Sequence, residues 1–126
     1  MLDDRGNLSV IEQFKDLPFE IKRVYWVYDV PGGEAREGHA YHKNKEFIVA
    51  MSGSFDVITD DGKNQKTFSL NRSYYGLYVP EGCWRTLTNF STNSLALIIA
   101  STPYDENDYI LSHEKFKKII KSEKQG

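Results

Sequence analysis

The sequence predicts an all-β domain, a sandwich or barrel of the kind that includes the jelly roll, followed by a short C-terminal helix. Three observations predict it. Residues 8–100 read as short alternating or apolar runs cut by turn residues. No long stretch of helical spacing interrupts them. The two tryptophans, eight tyrosines and seven phenylalanines are spread along the chain, and amphipathic rings suit strands whose faces meet polar ligands or partner subunits.

Taken in order, Leu8-Ser9-Val10-Ile11-Glu12 reads as a strand that must pair with a sheet edge, either its own or a second subunit's. Ile21 to Val30 is rich in β-formers and stops at the turn cluster Pro31-Gly32-Gly33. Glu46 to Met51 ends at Ser52-Gly53. Ser54 to Thr59 meets Asp60-Asp61-Gly62-Lys63, a hairpin signal, because Asp-Gly accepts the positive φ of a type I′ turn. Thr67 to Leu70, Gly76 to Val79 and Ser94 to Ala100 complete the series. Beyond them Phe116, Ile119 and Ile120 fall at helical spacing among lysines, which predicts a short amphipathic helix over 114–121, read as a solvated cap.

A chain of 126 residues is one domain, able to bury about two-thirds of its unfolded surface without a disulfide or structural metal. The net charge of −2 offers no field for a phosphate backbone, so nucleic acid is not an expected partner. The opening residues form neither a basic leader nor an apolar run, and no stretch approaches a membrane span. A lone cysteine, Cys83, excludes an internal disulfide. These features predict a cytoplasmic protein with no membrane attachment.

Most of the chemical information lies between Gly33 and Gly53, where the spacing Gly-x5-His-x-Tyr-x4-Glu-x6-Gly resembles the first motif of the cupins. His39 and Tyr41 share one face of a strand by alternation, and His42 points away, with Lys43 and Lys45 read as solvated. The segment Pro80-Glu81-Gly82-Cys83-Trp84-Arg85-Thr86-Leu87-Thr88-Asn89 resembles the second cupin motif. Tyr41 and Arg85 stand where metal-binding cupins place histidines, and arginine offers no lone pair to a cation. His39 and Glu46 alone keep ligand types, so no metal is expected. The pocket is read as converted from holding a cation to holding something anionic or oxygen-rich. A single histidine in a strand is more often packed than catalytic. Arg36, His39, Tyr41 and Arg85 converging in one small barrel shift the balance towards use, since such groups are costly to bury idle.

Larger blocks carry a further resemblance. Arg5-Gly6-x-Leu8, Leu17-Pro18-Phe19-x-Ile21-Lys22-Arg23-Val24-Tyr25, Arg36-x-x-His39-Ala40, Gly53-Ser54, Asp60-Asp61-Gly62, Gly76-Leu77-Tyr78-Val79, Phe90-Ser91 and the stretch from Ala100 to Ile110 are similar to the dTDP-4-keto-6-deoxyglucose 3,4-ketoisomerases. The similarity runs from Arg5 to about Phe116. It implies a cupin-type jelly roll (double-stranded β-helix) without a cofactor, a homodimer with exchanged strands in many members, and conversion of a dTDP-linked 4-keto-6-deoxyhexose to its 3-keto isomer. Such products feed routes to 3-amino-3,6-dideoxy sugars of surface polysaccharides, O-antigen and lipopolysaccharide among them, or of glycosylated surface proteins. In the family motif Arg-x-x-His-Ala-His the arginine and both histidines form the catalytic centre. Arg36 and His39 match it; Tyr41 departs from it, and Glu37 replaces a usual glycine.

The reaction passes through an enediol. His39, with an ordinary pKa of about 6.5, suits the base that takes the C3 proton. Arg36 suits stabilisation of the enediolate, a contribution of about 3 kcal/mol for one preorganised donor. Tyr41 is read as the second proton-handling group, provided that nearby arginines lower its pKa. Arg5, Arg23 and Arg85 are candidates for phosphate or keto-sugar contacts, and Tyr25, sharing a face with Arg23, for stacking on the base or for core packing. Trp84 is expected on the opposite face. Two other readings remain open at this point: a dTDP-sugar 3,5-epimerase-like enzyme, which would leave the ketone at C4, and a non-catalytic nucleotide-sugar-binding cupin, kept alive by Tyr41. A metal-dependent oxygenase fits least.

Overall fold

The runs of alternating side chains become strands wherever one face is apolar enough to meet an opposing sheet. The computed structural model describes residues 2–3, 6–7, 17–30 and 36–125, with the side chains of 2, 3, 6, 7, 36, 37, 124 and 125 outside the description. A two-residue ribbon pairs β1 (Leu2–Asp3) with β2 (Gly6–Asn7). Two antiparallel sheets follow. One is ordered β3 (Arg23–Tyr28), β10 (Leu95–Ala100), β5 (Glu46–Ser52), β8 (Gly76–Val79). The other is ordered β11 (Tyr109–Ile110), β4 (Arg36–Tyr41), β9 (Trp84–Thr88), β6 (Phe55–Asp60), β7 (Gln65–Leu70). From β3 to β11 successive strands alternate between the sheets except at the β6–β7 hairpin, the winding of a jelly roll.

Between the sheets lie Ile48 and Ala50 of β5, Phe55 and Val57 of β6, Leu87 of β9, and Ala96 and Ile98 of β10, with Leu70, Val79 and Phe90 closing the layer. This core fills one end of the sandwich. At the other end the inward positions turn polar, Arg23 and Tyr25 on β3, His39 and Tyr41 on β4, Glu46 on β5 and Arg85 on β9, so the same alternation that builds the core builds a polar cluster.

The expected strand at 8–12 lies outside the described residues. The hairpin at Asp60-Asp61-Gly62-Lys63 joins β6 to β7 as predicted, though not through a two-residue turn. The last register pair is Asp60 with Gln65, leaving a four-residue loop in which Gly62, at φ +94, takes the left-handed conformation. The two aspartates hold it: Asp60 accepts from the Gly62 amide at 2.8 Å, and Asp61 from the Lys63 and Asn64 amides at 2.8 Å each. Local carboxylate-to-amide bonds stand in for the turn that the dipeptide alone suggested.

The C-terminal helix α1 spans His113–Gln125, longer than 114–121, and it is not merely a solvated cap. Phe116 is buried against Ala40 and Ile110 on the outer face of the second sheet, flanked by Trp84, Ile119 and Ile120. His113 Nε2 meets Asp60 Oδ2 at 2.9 Å and pins the helix start to the β6–β7 hairpin. Trp84 faces this helix, opposite to Arg85, as expected from alternation. On the outer face of the first sheet Leu17, Phe19 and Ile21 cover Ile99, Phe47 and Leu97. Among the described residues no helix is long and apolar enough to cross a membrane.

Candidate active site

Strand β4 carries the histidine, and its register explains how residues three apart can serve one site. Arg36 lies opposite Leu87 and His39 opposite Arg85, so three steps on β4 match two on β9. The extra residue is a bulge at Glu37-Gly38. In a regular strand positions 36 and 39 would alternate; the bulge sets the Arg36 backbone opposite Leu87 as His39 is set opposite Arg85, two positions that are in phase on β9. Glycine is required there because a Cβ at position 38 would sit closer than 3.0 Å to Thr86 Oγ1 and Trp84 Nε1 on the adjacent strand.

His39 faces the interior, half-buried, with Nε2 at 3.0 Å from the Tyr41 hydroxyl and the rings edge-on at 4.9 Å. Tyr41 is 4% exposed. Its hydroxyl donates to Glu46 Oε2 at 3.2 Å and lies 3.5 Å from the Tyr25 hydroxyl. Glu46 is in turn gripped by Arg85, Nε to Oε1 at 2.9 Å and Nη2 to Oε2 at 3.2 Å, a two-pronged pair with both partners buried. The Tyr25 hydroxyl accepts from Arg85 Nη2 at 3.0 Å and donates to Glu46 Oε2. The four positions that a metal-binding cupin would use therefore do converge, with a guanidinium supplying the positive charge beside the carboxylate.

An aromatic wall completes the centre. Register places Tyr109 of β11 beside Tyr41, and its ring lies 4.6 Å from Tyr41 and 5.2 Å from His39. Tyr104 continues the wall outward at 5.8 Å from Tyr109. The Arg23 guanidinium lies 5.2 Å from the Tyr25 ring centre and 5.7 Å from that of Tyr104, and its Nε is buried without a hydrogen-bond partner. The wall is clasped to the end of β4. The Asn44 side-chain oxygen accepts from the amides and hydroxyls of Ser101 and Thr102 at 3.1–3.4 Å, and Asp108 accepts from the amides of Lys43 and Asn44 at 2.9 and 3.0 Å.

Electrostatics follow from this burial. Desolvation pushes the Glu46 carboxyl up, but the adjoining Arg85 charge and hydrogen bonds more than offset it, and the net displacement is below the usual carboxylate range. The expected acidification of Tyr41 by arginines does not occur. Burial and the negative Glu46 raise its hydroxyl well above the ordinary tyrosine value, because the nearest charge is the carboxylate and not a guanidinium. Tyr25 is raised for the same two reasons.

Of the residues singled out from sequence, Tyr25, His39, Tyr41 and Arg85 come together in one connected cluster, and Arg23 stands at its rim. Arg85 is engaged by Glu46 and Tyr25. The backbone of Arg36 takes its place on β4 but its side chain lies outside the described atoms, as does the whole of Arg5. Sequence reasoning gave no part to Tyr104, Tyr109 or Asn44, and saw Glu46 only as a possible ligand. Glu46 did leave a signal, a charge at the head of the apolar run Phe47-Ile48-Val49-Ala50.

With this geometry in view, a comparison with protein families matches residues 1–121 to one described as FdtA, WxcM-like, C-terminal. The chain belongs to that family. A relative from Aneurinibacillus thermoaerophilus, the TDP-4-oxo-6-deoxy-alpha-D-glucose-3,4-oxoisomerase, is 40% identical over all of this chain and 93% of its own length. Among solved structures, the WlaRB TDP-quinovose 3,4-ketoisomerase from Campylobacter jejuni is 40% identical over 92% of this chain and 89% of its own, with a TM-score of 0.87. QdtA, a sugar 3,4-ketoisomerase from Thermoanaerobacterium thermosaccharolyticum solved in complex with TDP, is 31% identical over 98% of this chain and 90% of its own, with a TM-score of 0.94. Family membership and the all-β fold expected from sequence both hold.

Proposed function

We propose that this chain is a 3,4-ketoisomerase that converts a dTDP-linked 4-keto-6-deoxyhexose to the 3-keto isomer. It is an isomerase by its relatives, and the reading rests on one observation of its own: an inward imidazole, His39, backed by a buried hydroxyl and carboxylate. The reaction is a redistribution of protons. His39 takes the proton from C3 and the C4 oxygen gains one, giving an enediol. Loss of the proton from the C3 oxygen and delivery of one to C4 then yields the 3-ketone, with no net gain or loss of electrons. Arg36, three residues before His39 on the same strand, is assigned to the enediolate's negative charge. The high pKa of Tyr41 makes it a poor donor to substrate, so its part is to hold the imidazole. Arg23 at the rim and Arg5 are assigned to the pyrophosphate, whose oxygens suit a guanidinium fork. Arg85, engaged by Glu46, acts as the anchor of the carboxylate.

The working unit is proposed to be a homodimer. Val24, Trp26 and Tyr28 on the outer side of β3 are 45–60% exposed and share their sheet face with Met51 at 43%, an apolar surface suited to a second copy.

Incubation with dTDP-4-keto-6-deoxyglucose in deuterated water, followed by NMR, tests the activity. Movement of the ketone to C3 with deuterium at C4 is expected, with His39→Asn binding the sugar nucleotide but losing turnover by at least about 100-fold. A ketone remaining at C4 with exchange at C3 and C5 would establish the epimerase reading instead.

A further inference from the structure

The order of protons along the buried cluster is fixed from its far end. An ionised carboxylate has no proton to give, so each hydroxyl that faces it must donate. Glu46 is 1% exposed and carries both prongs of Arg85, at 2.9 and 3.2 Å, which keep it ionised. Tyr25 receives a hydrogen bond from Arg85 Nη2 and commits its single proton to Glu46 Oε2. Tyr41, 3.2 Å from the same oxygen, does likewise. What the Tyr41 hydroxyl then presents to His39 Nε2, 3.0 Å away, is a lone pair. The reverse arrangement would give the Tyr41 proton to the imidazole and aim a lone pair at a buried anion. Hydrogen bonds to ionised acceptors are roughly twice as strong as neutral ones, and a low-dielectric interior magnifies the difference.

We propose that Glu46, acting through the Tyr41 hydroxyl, holds neutral His39 as the Nε2–H tautomer, so that the lone pair it offers as a base is on Nδ1. Glu46 is thus a positioning residue, and the inference rests on the reading of His39 as the base. The arrangement also serves the charged form. When Nδ1 takes up a proton, the imidazolium keeps its Nε2–H bond to Tyr41 and lies in the field of the carboxylate behind it. The logic is that of a buried acid orienting a catalytic imidazole, here with a tyrosine interposed.

The experiment reads the imidazole directly in substrate-free protein. The full chain is labelled with 15N-histidine and the ring nitrogens are correlated with ring protons at a pH above the histidine titration, His39 being identified by its loss in His39→Asn. Wild type is expected to show Nε2 protonated and Nδ1 bare; a protonated Nδ1 in neutral His39 would overturn the proposal. In Glu46→Gln the amide can donate to the Tyr41 oxygen, so the Tyr41 proton turns towards His39 and the tautomer moves to Nδ1–H or to a mixture. kcat is expected to fall by about 100-fold with KM little changed. If Glu46→Gln does not fold, Tyr41→Phe leaves the Glu46–Arg85 pair intact and removes the acceptor facing Nε2, so the Nε2–H share of neutral His39 is expected to fall. An Nε2–H share unchanged from wild type in Tyr41→Phe would overturn the proposal as well. Because the spectrum is recorded without substrate, absence of turnover in wild type would count against the isomerase reading alone.

Discussion

Arg85 and Glu46 each interrupt a strand whose inward neighbours are apolar, and neither charge is tolerable in that position without the other. Their pairing sets a clear expectation. Removing one partner of a buried pair leaves the other uncompensated, at a cost of about 3–5 kcal/mol. Arg85→Met is therefore expected to lose about that much stability at pH 7. The sign of the pH dependence also follows. In wild type the folded Glu46 carboxyl is held below its ordinary value, so its contribution is complete above the unfolded pKa of about 4.3 and is lost as pH falls through the lower folded one. In the variant burial is opposed by the Tyr25 and Tyr41 hydroxyls and by His39 but no longer by the adjoining guanidinium, so the pKa rises and protonation relieves the strain of the carboxylate. Urea unfolding at pH 7 and near pH 4.5 checks this: the deficit should shrink in acid, and an equal deficit at both would show that the pair is not the source. At this scale the sequence was partly legible. His39 and Tyr41 share a face because alternation is a local rule. The partnership of Glu46 with Arg85 was not legible, since it depends on strand register across 39 residues, and the pKa of Tyr41 went the wrong way because its nearest charge was hidden by the same register.

At the scale of elements, β4 and α1 show two kinds of hidden information. The bulge at Glu37-Gly38 was invisible because a two-against-one mismatch belongs to the pair of strands and not to either one. β9 and β11 were equally obscure: one is a short polar-apolar run inside a motif, the other two residues long. The helix was visible from its spacing, but whether its apolar stripe had anything to cover was not. The buried Phe116 answers that. Phe116→Ala is expected to cost about 3–5 kcal/mol in chemical denaturation, whereas a helix that merely decorated the surface would give a change near zero.

For the molecule as a whole, the jelly roll was readable as a count and spacing of strands, while the assignment of each strand to its sheet needed the structure. What the fold leaves uncovered is the outer side of β3, an edge strand with Trp26 at 58% exposure. If that face joins two copies, Trp26→Glu will place charge in a contact that must be dry, and light scattering after size exclusion should report a monomer. A mass still that of a dimer would move the contact to another surface. The clasp made by Asn44 and Asp108 has its own consequence for how the aromatic wall is held. It ties the turn after the histidine strand to the segment that carries Tyr104 and Tyr109, so those two rings are anchored to the same frame as His39 and stand beside it like a fixed doorpost.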